Sequence, residues 1–481
     1  MNTPFSLTIE EPLFEKLYAH LFPGDDDEHG AIITAGISQS ARGTRLLARD
    51  VFLAEDGVDY VPSKRGYRAL TTDFIVDKSG HCADENLCYL TVHPHGGYDE
   101  VGFSSDDIAS HERGYPALLD ITKGGPVGAL VFARNAVAGD IWTQQGRFEL
   151  SHLTVVRPRV RRLYPTPKAR PSQAEPIYDR HARLFGDAGQ EILSGLKVGI
   201  IGLGGGGSLI SEWLSRLGVG HIVGIDFDRV DPTNLPRIVG ATRWDAMTWL
   251  QSRQNPWLKR LGAGFARHKV LVAQRVARAA NPKIRYDAVV GDVLDEPTAR
   301  LLTDADFIFL ASDTFLSRLV FNTLVHQYLI PGVQIGVKVP VDRKTQEVGD
   351  IHAATRFVLP GAGGCMNCHD LLPPERINEE TQSQAQRKAQ RYVEDETVTA
   401  PSVITLNALS AAPAVNNFMM MFTGLLHEPV TLPHQLSYPR HQRVDEIEPY
   451  FNKDCPDCSK HSMSVYARGD RKRLPCRQGD S

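Results

Sequence analysis

The stretch from Lys197 to Asp226 most narrows what this chain can fold into. A short apolar run, Lys197-Val-Gly-Ile-Ile201, leads directly into Gly202-Leu-Gly204-Gly-Gly-Gly207. An amphipathic helix comes next over Ser208 to Leu217, and then a second apolar run, His221 to Ile225, ends at Asp226. Strand, glycine turn, helix, strand and acid in this order make a βαβ nucleotide-binding unit. Gly202, Gly204 and Gly207 let the backbone approach phosphate, and the helix start offers free N–H groups to it. Asp226 lies where an acid can accept bonds from ribose hydroxyls. A glycine turn alone is a weak signal, because tight turns without a ligand use the same residues.

Two tight cysteine pairs bracket the far end of the same half, Cys365-Met-Asn-Cys368 and Cys455-Pro-Asp-Cys458. Two C-x-x-C knuckles can supply four thiolates to one tetrahedral zinc, so a structural Zn²⁺ is expected to close the intervening segment into a loop. Four of the seven cysteines are thereby accounted for, which fits a reducing compartment better than a disulfide framework. Cys82, Cys88 and Cys476 are left over.

The segment after the second strand is more specific. Asp226-Phe-Asp228-Arg-Val-Asp231-Pro-Thr-Asn234-Leu-Pro-Arg237 resembles the D-x-D-x-V-x-x-x-N-L-x-R signature of the ubiquitin-activating-enzyme-like (ThiF-type) adenylyltransferases. Tyr178-Asp-Arg180 is similar to that family's Y-x-R, Lys269 to its lysine, Ser312-Asp313 to its post-strand acid, and Thr399-Ala-Pro401 to its T-A-P crossover motif. The cysteine pairs are similar to its zinc site. The resemblance implies a C-terminal Rossmann-like adenylation domain with a four-cysteine zinc site. It implies that a carboxylate attacks the α-phosphate of ATP and that pyrophosphate leaves. Asp226, with Asp228 beside it, would bind ribose, Asn234, Arg237 and Lys269 would grip the triphosphate, and Asp313 would hold Mg²⁺. Arg180 would be donated across a homodimer interface.

Residues 157–177 form a proline- and arginine-rich linker, RPRVRRLYPTPKARPSQAEP over its first twenty positions. It separates an N-terminal domain, 1–156, from the adenylation domain, 178–465, and a basic tail occupies 466–481. In the N-terminal domain, a strand from Asn86 to Val92 delivers His93-Pro-His95, and Phe103-Ser104-Ser-Asp106-Asp107 comes after a turn. Histidines at i and i+2 on a strand end point the same way, and an acid a turn later completes three ligands with a fourth position open, as in a catalytic zinc site. The order resembles the H-x-H…S-x-x-D motif of the JAB/MPN (JAMM) metalloproteases, and implies a JAMM-like α/β domain. That resemblance assigns His93, His95 and Asp107 to zinc, with Asp106 a competing ligand, and Ser104 to oxyanion support. An acid before an early strand would be the general base: Glu28, or Asp27 in its place.

Activating enzymes that form thioesters carry a cysteine before the T-A-P motif, and the stretch from His369 to Thr399 has none. Either no thioester forms, or Cys476, or Cys82 or Cys88, serves. Cys476 lies in a basic tail that reads as disordered, and the segment around Arg376 to Glu396 reads as a mobile charged helix. A net charge of −4 gives no pull toward nucleic acid or acidic membranes, and no apolar run or signal pattern points to a membrane or to export, so the location is expected to be cytoplasmic. The leading expectation is an α/β enzyme with two activities on one substrate, a ubiquitin-like protein. One half adenylates its C-terminal carboxylate, and the other processes or deconjugates it, with a conjugating enzyme as a possible partner. A sulfur-carrier protein adenylyltransferase for cofactor biosynthesis is the close alternative. An NAD-dependent oxidoreductase and a non-catalytic docking module also remain.

Overall fold

The computed structural model describes residues 4–25, 27–62, 68–342, 345, 347–381 and 401–477. Thr399 and Ala400 of the crossover motif and most of the glutamine-rich segment lie outside them.

The N-terminal domain is an eight-stranded sheet with three helices: β1 (Phe5–Glu10), α1 (Glu11–Leu21), β2 (Ala31–Ser40), β3 (Gly43–Leu53), α2 (Thr72–Glu85), β4 (Cys88–Pro94), α3 (Ser105–Ile121), β5 (Val127–Phe132), β6 (Val137–Thr143), β7 (Gly146–Val156) and β8 (Arg161–Leu163). Strand order is β1-β3-β2-β4-β5-β6-β7-β8, and β1 also pairs in parallel with β7, so the sheet closes on itself. Period-2 alternation sends Leu7, Ile9, Leu153 and Val155 into an apolar core with Ile33, Leu90 and Leu130. Strand β4 ends at this domain's metal-ligating candidates. Because β8 pairs with β7, the extended linker begins after Leu163 rather than at Arg157.

The second domain contains α4 (Asp179–Gly195), β9 (Lys197–Ile201), α5 (Gly205–Leu217), β10 (His221–Ile225), α6 (Thr248–Gln251), α7 (Pro256–Phe265), α8 (Lys269–Ala280), β11 (Arg285–Val289), α9 (Glu296–Arg300), β12 (Phe307–Leu310), α10 (Phe315–Tyr328), β13 (Gly332–Lys338), β14 (His352–Val358), α11 (Pro374–Thr381), α12 (Ile404–Thr423), β15 (His434–Tyr438) and β16 (Arg443–Ile447). Its sheet runs β11-β10-β9-β12-β13-β14-β15-β16, parallel through β13 and antiparallel beyond. Strands β9 and β12 are buried at every position, as expected of parallel strands covered on both faces.

The basic tail is not loose through Arg477. Tyr466, Ala467 and Arg468 are buried, and Leu474 joins the core of the second domain. Two buried charges of the first domain hold this strap. The Arg49 guanidinium donates to the Tyr466 and His461 carbonyls, and Glu10 accepts from the Tyr466 hydroxyl and pairs with Lys460 at 2.7 Å. Composition suggested a solvated tail, whereas long-range packing made it the seam between the domains.

Candidate functional site

The glycine turn lies at the carboxyl end of β9, and Gly202 takes φ +89°, a left-handed conformation that favours glycine. A Cβ at Gly207 would lie 1.9 Å from the Gly202 carbonyl oxygen, so this glycine serves close helix–strand packing. Gly202, Gly204, Asp226, Asp228, Arg237, Lys269 and Asp313 line one cavity of about 840 Å³ at the carboxyl ends of the parallel strands. Asp226 is fixed by the N–H groups of Leu203 and Asp228, at 2.7 and 2.8 Å. Burial pushes its carboxyl above the ordinary range, and the Lys269 charge is first among the effects that oppose the rise. Lys269, at the start of α8, reaches Asp228 at 2.6 Å.

Three expected residues stand elsewhere. Gly207 is in the packing contact just described, outside the cavity wall. Asn234 is buried, and its side-chain oxygen accepts the Asp231 N–H at 3.2 Å in a reciprocal cap of a short 3-10 turn, which holds the loop carrying Arg237. Arg180 is exposed on α4 and does not line the cavity of its own chain.

The cavity also contains residues that the motifs did not indicate. Arg318 lies one turn beyond the Thr314 cap of α10, where burial lowers its pKa and the Asp313 charge opposes that shift. Arg356 on β14 donates to Gln334 at 2.8 Å, and Arg477 of the strap reaches the rim. The Glu380 carboxylate accepts from the N–H groups of Phe315 and Leu316, at 3.0 and 2.9 Å. Arg318 had a local signal, a basic residue one turn after a capping threonine. Arg356 had none, because its place depends on the antiparallel register Gln334↔Arg356.

The second cluster joins three elements. His93 is near the end of β4, His95 stands just beyond it, and Asp107 lies in the first turn of α3. His93 Nε2 and His95 Nε2 are 3.2 Å apart, and Asp107 lies 3.5 and 3.3 Å from them through its two oxygens. These spacings approach the edge of about 3.3 Å in a tetrahedron with ~2.0–2.1 Å bonds, so the donor set fits zinc. The Gly102 carbonyl, 3.0 Å from His95 Nδ1, can fix the tautomer that leaves Nε2 free to ligate. Asp107, rather than the exposed Asp106, faces the histidines. Ser104 caps α3, and its hydroxyl and N–H donate to Asp107 at 2.7 and 2.8 Å, so the structure places Ser104 as the holder of this carboxylate. Burial would raise the Asp107 pKa, but bonds from His93 and Ser104 outweigh it and lower it. Half-buried Glu28 is close enough to feel the charges of His93, His95 and Asp107, and burial raises its pKa. Behind the cluster, buried His111 bonds Asp140 at 2.7 Å, and Asp140 also accepts from Arg147 and Trp142.

The four paired cysteines form a third group, with sulfurs 3.5 Å apart in Cys365–Cys455 and in Cys368–Cys458 and 3.8 Å apart in Cys365–Cys368. A tetrahedron with ~2.3 Å Zn–S bonds has an edge of about 3.8 Å, so this set also fits zinc. None of the remaining cysteines is activated. Burial pushes the Cys88 thiol up to about 12 and Cys476 up to about 11, and it raises Cys82 further.

A sulfur carrier protein adenylyltransferase of Thermus thermophilus is 31% identical over 137 residues, 28% of this chain and 44% of that protein. The sulfur carrier protein ThiS adenylyltransferase of Bacillus subtilis is 29% identical over 193 residues, 39% of this chain and 48% of that one. This chain thus spans about half the length of the curated relatives it matches. The crystal structure of E. coli MccB with succinimide aligns with a TM-score of 0.44 and 17% identity over 60% of this chain and 75% of that one. Residues 178–457, which carry the glycine turn and most of the charged cavity and of the two cysteine pairs, match the ThiF family, and the chain belongs to that family.

Proposed function

We propose that the second domain adenylates the C-terminal carboxylate of a small ubiquitin-like or sulfur-carrier protein. The observation that carries this reading is the single cavity joining the glycine turn, Asp226 and the cations Arg237 and Lys269. Transfer from ATP needs little covalent help from the protein. It needs positive charge around the phosphates and fixed geometry at the attacked phosphorus. Asp226 would hold the ribose, and Arg237, Lys269 and Arg318 would face the phosphates. Asp313, exposed at the cavity wall, would take Mg²⁺. A homodimer is part of the proposal. Arg180 lies outside its own cavity, as a residue donated to a partner must, and Leu184 on the same helix is 60% exposed. With Cys476 packed and its thiol pushed up, and no cysteine between His369 and Thr399, the reading favours an adenylate without a thioester on this chain.

The first domain is proposed to be a JAMM-like metalloprotease that acts on the same small protein. Zinc at the four cysteines would be a structural cross-link, whereas zinc at His93, His95 and Asp107 would keep a fourth position where the pKa of water falls toward ~7. Glu28 would take the proton of that water, and Ser104 would keep Asp107 in place.

Incubation with ATP, Mg²⁺ and glycine-terminated small proteins, with intact-mass analysis of the products, tests the first proposal. The expected result is a small protein heavier by one adenylyl group, with pyrophosphate released. No adenylate with any ubiquitin-like or sulfur-carrier protein would overturn it. Cleavage of a fusion that extends the small protein beyond its C-terminal glycine tests the second.

A further inference from the structure

The two domains also meet across a smaller cavity of about 150 Å³. One wall is the outer face of the closed sheet, where Ser6 and Thr8 alternate with core-facing Leu7, and His152 and Thr154 with core-facing Leu153. The other wall is the amino-terminal edge of the Rossmann-like sheet, where Asp304 and Asp306 precede β12. The nucleotide cavity lies at the opposite, carboxyl end of these strands.

Charge does not balance at this seam. Arg42, Arg45 and Arg162 line it against Asp304 and Asp306. Asp306 accepts from Arg42 and from Arg162, each at 2.9 Å, and the Lys197 ammonium occupies Asp304. Among the described residues Arg45 gains no carboxylate. It donates from Nη2 to the Thr303 carbonyl at 2.7 Å, while its Nε and the Nε of Arg162 are buried with no partner among those residues. His152 neither relieves nor adds to this excess of cations, since burial first and Arg162 next lower its pKa to about 4 and keep the ring neutral. Buried donors left unpaired are costly, and an unbalanced buried cation more so.

We propose that this seam binds a small oxyanion of the phosphate class, held by Arg45 and Arg162 and by the hydroxyls of Ser6, Thr8 and Thr154. The guanidinium fork matches tetrahedral oxyanions, and serine and threonine hydroxyls add neutral donors. The volume is well above the ~10–15 Å³ that one water requires, and below the ~300 Å³ at which pockets for drug-sized ligands begin. It therefore admits phosphate or sulfate and excludes a nucleotide. The ligands all come from the first domain and face the Asp304–Asp306 edge of the second, so the ion would stabilise the folded chain by mass action.

Calorimetric titration of the full-length, phosphate-free protein with inorganic phosphate, and separately with sulfate, tests this, with thermal unfolding alongside. One-site binding and a rising Tm are expected with at least one ion. Affinity should survive in Lys269→Ala, which alters the nucleotide cavity, and fall at least tenfold in Arg45→Gln. Should Arg45→Gln fail to fold, Ser6→Leu, which fills the cavity without changing its charge, must abolish the heat while ATP binding persists. No saturable heat from the wild type with either ion would overturn the proposal. So would equal affinity in wild type and Ser6→Leu, or loss of binding in Lys269→Ala.

Discussion

The Lys269 ammonium lies 2.6 Å from a carboxylate oxygen of Asp228 and 4.0 Å from one of Asp226. One lysine is thus shared between two acids that leave the end of β10, and each acid has a different supporter. Asp226 is locked by two backbone N–H groups, whereas Asp228 is exposed and held chiefly by the lysine. On the proposed reading the cation would stand at the cavity wall before any phosphate arrives, and little reorganisation would be left for the reaction itself.

Lys269→Ala is therefore expected to lower the rate of adenylate formation by about 10²-fold or more, the usual scale for loss of one electrostatic contact to a developing charge. Pyrophosphate release under saturating ATP measures it. Stability should hardly move, because Lys269 opens α8, where a cation opposes the helix dipole. A Tm drop of many degrees would mean that the lysine is structural.

Asp107→Asn and Glu28→Gln should separate metal binding from proton transfer. Two donor groups predict one zinc each in the intact chain. Asp107→Asn removes a charged ligand and should lose one zinc, with the cysteine-bound ion retained. Glu28→Gln keeps His93, His95 and Asp107 and should keep both ions, yet lose cleavage of an extended small-protein fusion by about 10²-fold or more. Elemental analysis per chain gives the metal content, and loss of zinc from Glu28→Gln would make Glu28 a ligand.

Local patterns make much of this architecture legible in the sequence. The βαβ unit is written within thirty residues, Lys197 to Asp226, and the spacing of His93 and His95 needs only a strand to bring both rings to one side. The misreadings have a common cause, burial decided by distant partners. Residues 466–477 look like a solvated basic tail until Glu10, Arg49 and Glu85 of the other domain are brought against them. Arg356 enters the cavity beside the glycine turn only through the β13–β14 register. Ser104 is legible in two ways, since a serine three residues before an acid reads as well as a helix cap as it does as a group supporting an oxyanion, and the cap is the contact seen.

The strap also links the cysteine cluster to the domain seam. Cys458 stands just before Ser459, whose carbonyl accepts from the Ser464 hydroxyl at 2.7 Å, and the Arg49-bound carbonyls come directly after it. Cys365→Ser is expected to lose one zinc and to expose 460–477 to limited proteolysis, with a lower Tm. Intact zinc content in that variant would show that the four sulfurs do not share an ion. Protease resistance would show that the domain contacts hold the strap without the cluster.

His326 supplies a pH test of the same seam. It is 1% exposed on α10, its ring lies 6.3 Å from that of Tyr466, and neither ring nitrogen has a partner among the described residues. Burial alone lowers its pKa to about 3, so the folded protein keeps the ring neutral where the unfolded chain, near ~6.5, takes up a proton. Its folded pKa is the depressed one, so its contribution is fully present above ~6.5 and is lost as pH falls toward about 3. Between pH 7 and 5 the loss from this residue comes to about 2 kcal/mol by linkage. His326→Leu removes the titration and two orphaned nitrogens with little change in volume. Denaturant unfolding at both pH values should show the variant at least as stable as wild type at pH 7, and about 2 kcal/mol less sensitive to acidification. Identical pH slopes for the two proteins would place the acid sensitivity in other groups, His152 and His434 among them, since burial lowers each to about 4.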